Sequence, residues 1–222
     1  MADVAVGVPF SRRPFSRRLE QRDTPKNVAW IALAYGAVGA LGATLAEVSG
    51  HSPLSTTGFW PGLLGAGSFA AAASLTLGVL VALATIRTTR VLGRAGWARA
   101  LHADLRPITH GMGDGAVLLM AVASGLGEEL FFRGWLTPYA GVLFSSLIFG
   151  VLHQVRGRAR WAWASWATLM GLAFATIFAV TGDLLGPIVA HVAINFANLR
   201  YLRDHDPEAK PHALGGLLSP PT

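Results

Sequence analysis

The sequence predicts an all-α membrane protein, a polytopic bundle of about six transmembrane helices with an amphipathic surface helix between the second and third. Three observations predict this class. Hydrophobic residues make up 52% of the 222 residues and charged residues only 14%. The mean hydropathy is +0.46, well above that of soluble domains. Apolar runs of membrane-spanning length recur along the chain, and the basic residues fall in alternate connecting segments.

Six apolar runs are candidates for transmembrane helices, because a helix crosses the hydrocarbon layer in roughly 20 residues. The fourth is short and qualifies only if it begins within the "TPYAG" turn and is covered by its neighbours. The first is too long for the apolar core of a signal peptide, so we expect it to be retained. The predicted spans are Val28–Val48, Trp60–Ile86, Gly115–Tyr139, Gly141–His153, Trp161–Thr181 and Leu184–Leu202.

The basic residues predict the topology of these six spans. Seventeen of the 18 lie before the first span, after the second, between the fourth and fifth, or at and after the end of the sixth. The other connections, "SGHSPLSTTGF", "TPYAG" and "TGD", contain none. This alternation is what the positive-inside rule produces when both termini are cytoplasmic. It predicts a multi-pass protein of the cell inner (plasma) membrane, and it assigns the net charge of +6 to topology and not to nucleic-acid binding.

The remaining segments complete the domain organisation. Residues 1–27 form a basic cytoplasmic N-terminal segment, 28–203 a single transmembrane domain, and 204–222 a proline- and glycine-rich tail expected to be disordered. The stretch "GRAGWARALHADLRPITHG" is basic and partly amphipathic, so we expect it to lie along the cytoplasmic membrane surface. The absence of cysteine excludes disulfides and thiolate chemistry.

A small set of strongly polar residues remains inside the predicted spans. Ionisable groups in the membrane are expensive, and each one is a candidate functional residue. The list comprises Glu128, Glu129, Arg133, His153, His191 and Asn195.

Counting residues from the non-cytoplasmic span ends places four of these side chains at similar depth. At 1.5 Å per residue, Glu128, His153, His191 and Asn195 lie roughly 10 to 18 Å below that surface of a core about 30 Å thick. Three helices are therefore predicted to converge on one polar cavity near the middle of the membrane.

Helical periodicity distinguishes the two glutamates. Glu129 and Arg133 are four residues apart and lie on one helix face, where they can form an ion pair. Glu128 points about 100° away and is left without an obvious basic partner. It is placed to act as a general base with a histidine beside it. The structural alternatives are an ion pair that only stabilises the fold, polar side chains that only join helices, and packing for Phe149.

Three short motifs resemble those of a known family. "EELFFR" (residues 128–133), "FGVLH" (149–153) and "HVAIN" (191–195) resemble the EExxxR, FxxxH and HxxxN motifs of the CPBP family. That family includes the type II CAAX prenyl endopeptidases and the bacterial Abi-type proteins. The resemblance covers about residues 115–202, in the right order along the chain.

The resemblance implies a glutamate-dependent intramembrane endopeptidase that acts on a membrane-associated protein or peptide, with no cofactor. Carried over to this chain, Glu128 with His153 would activate the hydrolytic water. His191 with Asn195 would stabilise the oxyanion. The residues that would hold the site together are Glu129, Arg133 and Phe149.

Three alternatives stay open at the level of sequence, and the third is a scaffold or immunity partner whose polar site is only structural. In the first, Glu128, His153 and His191 supply one oxygen and two nitrogens to a zinc ion that performs the same hydrolysis. No HExxH pairing is present to require it. In the second, the polar layer is a proton or ion pathway of a transporter.

Overall fold

The computed structural model describes residues 24–56, 67–155, 157 and 159–206. Within these ranges the chain is helical, and the only strand-like feature is an isolated bridge between Ser55 and Asp183. The helices are α1 (Thr24–Val48), α2 (Ser68–Leu92), α3 (Gly96–Thr109), α4 (Asp114–Phe131), α5 (Thr137–Leu152), α6 (Arg160–Thr181) and α7 (Leu185–Asp204). A five-residue π-helical turn, Phe132–Leu136, joins α4 to α5. The two predicted terminal segments lie largely outside the described residues, which do not include 1–23 and 207–222.

Four helical segments of the described chain are long and apolar enough to cross a membrane: Asn27–Val48, Ser68–Leu92, Asp114–Leu152 and Arg160–Thr181. The chain is thus a helical, multi-pass membrane protein by composition and length. Large apolar side chains cover its outside, and Trp30 and Phe144 are 72% and 64% exposed. Such a surface suits contact with lipid tails.

The second predicted span was wrong at its C-terminal end. We expected it to stop at Ile86, but α2 continues for six residues, to Leu92, and carries two arginines that the prediction assigned to the following loop. Arg90 remains in the helix because its guanidinium donates a hydrogen bond to the Ala197 carbonyl (2.7 Å) and lies 4.0 Å from the centroid of the Tyr201 ring. The predicted start, at Trp60, falls outside the described residues.

The prediction of a turn over the whole of "TPYAG" was also wrong, because the turn is shorter than expected. Residues 137–140 are helical, and the break is confined to Gly141, with φ of 82° and ψ of 165°. A positive φ is readily adopted only by glycine, which explains why one residue suffices. The proline at position 138 is accommodated because it lies in the first turn of the helix.

Helix α7 lies at the centre of the bundle and packs against α2, α4, α6 and α3. Small residues make this close approach possible: Gly78 of α2 meets Gly186 of α7, and Gly125 of α4 meets Val192 of α7. Because protein and not lipid surrounds much of α7, it can carry polar residues. This accounts for its absence from the four apolar segments, although we predicted it as the sixth span.

Candidate active site

Glu128 is placed by two glycines that precede it on α4. A Cβ atom on Gly125 would collide with Val192 of α7, and one on Gly127 would overlap the Tyr35 carbonyl of α1. Both neighbouring helices therefore approach the α4 backbone directly on either side of this segment. The glutamate side chain is held at the junction of three helices and is 7% exposed.

Glu128 faces one histidine from each of two other helices. Its Oε2 atom lies 3.6 Å from His153 Nε2, at the C-terminal end of α5, and 3.6 Å from His191 Nε2 on α7. Both separations exceed hydrogen-bonding distance. Oε2 is buried and has no hydrogen-bond partner among the described residues. The structure thus brings together Glu128, His153 and His191, with one carboxylate oxygen left uncommitted between two imidazoles.

Glu129 forms a separate, fully buried cluster. Its Oε1 atom accepts a hydrogen bond from Arg133 NH1 at 2.9 Å and lies 2.7 Å from His191 Nδ1. Arg133 donates a second bond to the Gly171 carbonyl (3.2 Å). Its guanidinium carbon lies 4.5 Å from the Phe149 ring centroid and 5.4 Å from that of Phe174. The expected ion pair is present, and it also orients one of the histidines.

In both imidazoles, the hydrogen bond at Nδ1 indicates that this nitrogen carries a proton. His153 Nδ1 lies 2.7 Å from the Phe149 carbonyl, which can only accept, so Nδ1 carries the proton. In neutral His153 the Nε2 atom that faces Glu128 is then an acceptor. His191 Nδ1 likewise donates to the Glu129 carboxylate, in the carboxylate–imidazole arrangement that stabilises an imidazolium. Its Nε2 atom can donate only when the ring is protonated.

Asn195 and Phe149 complete the predicted set. Asn195 Nδ2 donates to Ser124 Oγ at 2.9 Å, and Ser124 in turn donates to the Met120 carbonyl. The amide group of Asn195 is thereby oriented while one of its two N–H groups remains available. Phe149 is 3% exposed, and its ring centroid lies 4.2 Å from that of His153.

These side chains line one cavity of about 290 Å³. Its walls include Glu128, Phe149, His153, His191 and Asn195, whereas Glu129 and Arg133 lie behind them. Further residues of α4 and α7 also line the cavity. Helices α1, α3 and α6 contribute to the lining as well, and their residues include Tyr35, Leu105, Ile108, Trp163 and Trp166. The cavity is thus mainly apolar with a few convergent polar groups, as is usual for sites that bind organic ligands.

Several polar residues that line the cavity were missed by sequence reasoning, among them Tyr35 and Ser124. Ser124 lies one turn before Glu128 on α4, and that spacing could have identified it. Tyr35 precedes the glycines of "YGAVGALG", which indicate a close helix crossing. Nothing in that segment alone identifies the partner helix.

The arrangement was also compared with the zinc site left open by the sequence. No group of three or more histidine or acidic side chains within the described ranges is arranged to hold a metal ion. A zinc ion needs every ligand atom about 2.0–2.2 Å from one point.

Comparisons with known proteins agree with the motifs. Residues 115–197 match the family model described as "Type II CAAX prenyl endopeptidase Rce1-like". The matched segment contains all seven predicted site residues but excludes α1, α2 and α3. No curated protein and no solved structure matches the chain. Over residues 115–197, therefore, the chain is similar to the type II CAAX prenyl endopeptidases, the group that its three motifs resemble, and this similarity covers less than half of its length.

Proposed function

We propose that this protein is an intramembrane endopeptidase that uses a glutamate-activated water to hydrolyse a peptide bond in a membrane-associated protein. The observation that carries the proposal is the uncommitted Glu128 Oε2 atom, which lies 3.6 Å from each of two imidazole Nε2 atoms at the wall of the cavity. A water molecule within reach of Glu128 Oε2 and His153 Nε2 would have two acceptors for its two protons.

In the proposed reaction, Glu128 removes a proton from this water as the oxygen attacks the scissile carbonyl. Protonated His191, stabilised by Glu129, and the free N–H group of Asn195 donate hydrogen bonds to the developing oxyanion. The proton held by Glu128 passes to the leaving amine. Each preorganised donor typically contributes about 2.7–4 kcal/mol, and general-base catalysis a factor of about 10² to 10⁴.

We further propose six membrane spans with both termini on the cytoplasmic side of a bacterial plasma membrane, and α3 along the cytoplasmic surface. This topology counts Asp114–Leu152 as two spans divided at Gly141, and α7 as the sixth. The distribution of arginines supports it, as does the polarity of α3, which includes Arg99 and Arg106. The cavity then opens towards the cytoplasmic half of the membrane, where α3 contributes Leu105 and Ile108 to its lining.

The central test is Glu128→Gln in purified protein reconstituted into liposomes. The matched control is Glu47→Gln, which makes the same change at an exposed glutamate near the end of α1. The probe is an internally quenched, S-farnesylated peptide that ends in a CAAX sequence, and new protein C-termini in cell membranes are mapped in parallel. We expect Glu128→Gln to reduce cleavage by a factor of about 10² to 10⁴, because an amide cannot act as the base, and Glu47→Gln to behave as wild type. Normal cleavage by Glu128→Gln would refute the mechanism.

Two further measurements address the alternatives. Wild-type activity should survive exhaustive chelation, and elemental analysis should find no stoichiometric metal; loss of activity that zinc restores would establish the zinc-dependent reaction instead. Sealed liposomes should show no proton flux when the substrate is added. Proton flux without proteolysis would favour a transporter.

A further inference from the structure

Tyr35 brings a phenol from α1 into the cavity wall. Helix α1 lies outside the segment that matches the peptidase family, residues 115–197. The ring is partly buried and packs against a cluster formed by Val28, Met112, Val117 and Met120. Tyrosine is scarce in this chain, with three in 222 residues. A phenol in this wall therefore calls for a functional explanation beyond packing.

The crossing of α1 and α4 fixes where this phenol lies. A Cβ atom on Gly39 would be 2.9 Å from the Gly127 Cα, and a Cβ atom on Gly127 would overlap the Tyr35 carbonyl. The two backbones are consequently in direct contact at the residue that precedes Glu128. This contact leaves the Tyr35 side chain little freedom to move relative to α4.

Tyr35 and Glu128 line the same cavity, and the Tyr35 Cβ atom would lie 3.3 Å from a Cβ atom on Gly127, the residue that precedes Glu128. At this separation the phenol hydroxyl group interacts electrostatically with the Glu128 carboxylate. The other polar groups that face Glu128 have different constraints. His153 Nε2 and His191 Nε2 both lie 3.6 Å away, and their Nδ1 atoms are already engaged. Arg133 bonds to Glu129 and Gly171. The phenol is thus suited to hold the carboxylate group while Oε2 remains available for water.

We propose that Tyr35 is a positioning residue for Glu128, which orients the carboxylate towards the water it activates. This inference rests on the proposed function of Glu128. It extends the working site beyond the matched peptidase segment to the first helix.

The test is Tyr35→Phe, which removes one oxygen atom and retains the ring that packs against α4. Tyr139→Phe is the matched control, because Tyr139 is 78% exposed and is not among the cavity-lining residues. With the farnesylated peptide, we expect Tyr35→Phe to lower kcat about 10- to 100-fold and to leave KM within about twofold, as outer partners of a reactive group commonly do. Tyr139→Phe should match wild type in both constants.

A double-mutant cycle provides a readout that needs no activity. Melting temperatures are compared for the wild type, Tyr35→Phe, Glu128→Gln and the double variant. Non-additive changes are expected if the hydroxyl group contacts the carboxylate, and additive changes would overturn the contact. A normal kcat for Tyr35→Phe, or a change confined to KM, would overturn the positioning role. Full activity of Glu128→Gln would instead refute the proposed function, on which this role depends.

Discussion

At the scale of single residues, the two adjacent glutamates occupy different electrostatic environments. Glu129 is completely buried, and its Oε1 atom interacts with Arg133 at 2.9 Å and with His191 at 2.7 Å. Glu128 interacts with no cation at that range. Burying a charge is tolerable only when it is paired and hydrogen-bonded. Both carboxylates have an Oε2 atom without a hydrogen-bond partner among the described residues, but only Glu128 lines the cavity. Glu129 therefore stabilises the site, while Glu128 presents its free oxygen atom to the cavity, as a base requires.

The buried pair leads to a prediction about stability. Arg133→Met should lower the free energy of unfolding by about 3–5 kcal/mol, because it leaves the Glu129 carboxylate without its main partner. Arg200→Met is the control: Arg200 lies 4.0 Å from Asp114, and both side chains are largely exposed, so its loss should cost about 1 kcal/mol or less. Denaturant unfolding in detergent micelles measures both. Equal effects for the two variants would contradict the structural role of Arg133.

At the scale of elements, part of the site could be predicted from the sequence. Periodicity alone separated Glu128 from the Glu129–Arg133 pair, because one helix fixes the relative directions of its own side chains. It could not show that Glu129 also accepts a hydrogen bond from His191. That contact depends on how α7 is rotated against α4, which contacts such as Gly125 with Val192 determine. For the same reason, Tyr35 could not be assigned to Glu128 before the α1–α4 crossing was known.

Helix boundaries were harder to predict where a helix continues through residues that are polar enough to resemble a loop. The arginines after Ile86 looked like loop residues, yet the long side chain of Arg90 reaches a carbonyl of α7 and keeps α2 helical. The predicted turn at 137–141 proved helical up to Gly141. A high mean hydropathy identifies helices that face lipid. It does not identify a helix such as α7, which is surrounded largely by other helices and carries more polar residues.

The helix crossing at Gly127 can be tested by adding a single methyl group. Gly127→Ala should push α1 away from α4, lowering both the melting temperature and kcat, because its Cβ would overlap backbone atoms of Tyr35. Overpacking of this kind typically costs about 1–3 kcal/mol. Gly115→Ala is a control in the same helix, since a Cβ there meets nothing within 4 Å. Thermal unfolding and peptide cleavage should be measured together. If both variants behave as wild type, the crossing is not as tight as described.

At the scale of the whole molecule, contacts between connecting segments assign them to two opposite ends of the bundle. The Ser55–Asp183 bridge joins the segment after α1 to the α6–α7 connection, and it is reinforced by a hydrogen bond from Thr56 N to the Gly182 carbonyl (2.9 Å). At the other end, Arg203 bonds to Asp114 (2.8 Å), and His102 lies 3.2 Å from the Leu202 carbonyl. The second end carries the arginines of α3 and α7, and for this reason the proposed topology assigns it to the cytoplasmic side.

This two-ended arrangement predicts which residues a membrane-impermeant thiol reagent can reach. Because the chain contains no cysteine, each introduced thiol is the only one present. Ser52→Cys and His110→Cys are matched probes, since both residues are exposed and lie in connecting segments at opposite ends. In intact spheroplasts, Ser52→Cys should react and His110→Cys should not, and both should react after the membrane is permeabilised. The opposite pattern would invert the proposed topology, and labelling of both in intact cells would contradict a membrane-spanning bundle. Retained peptide cleavage by both variants would show that the labelled proteins are folded.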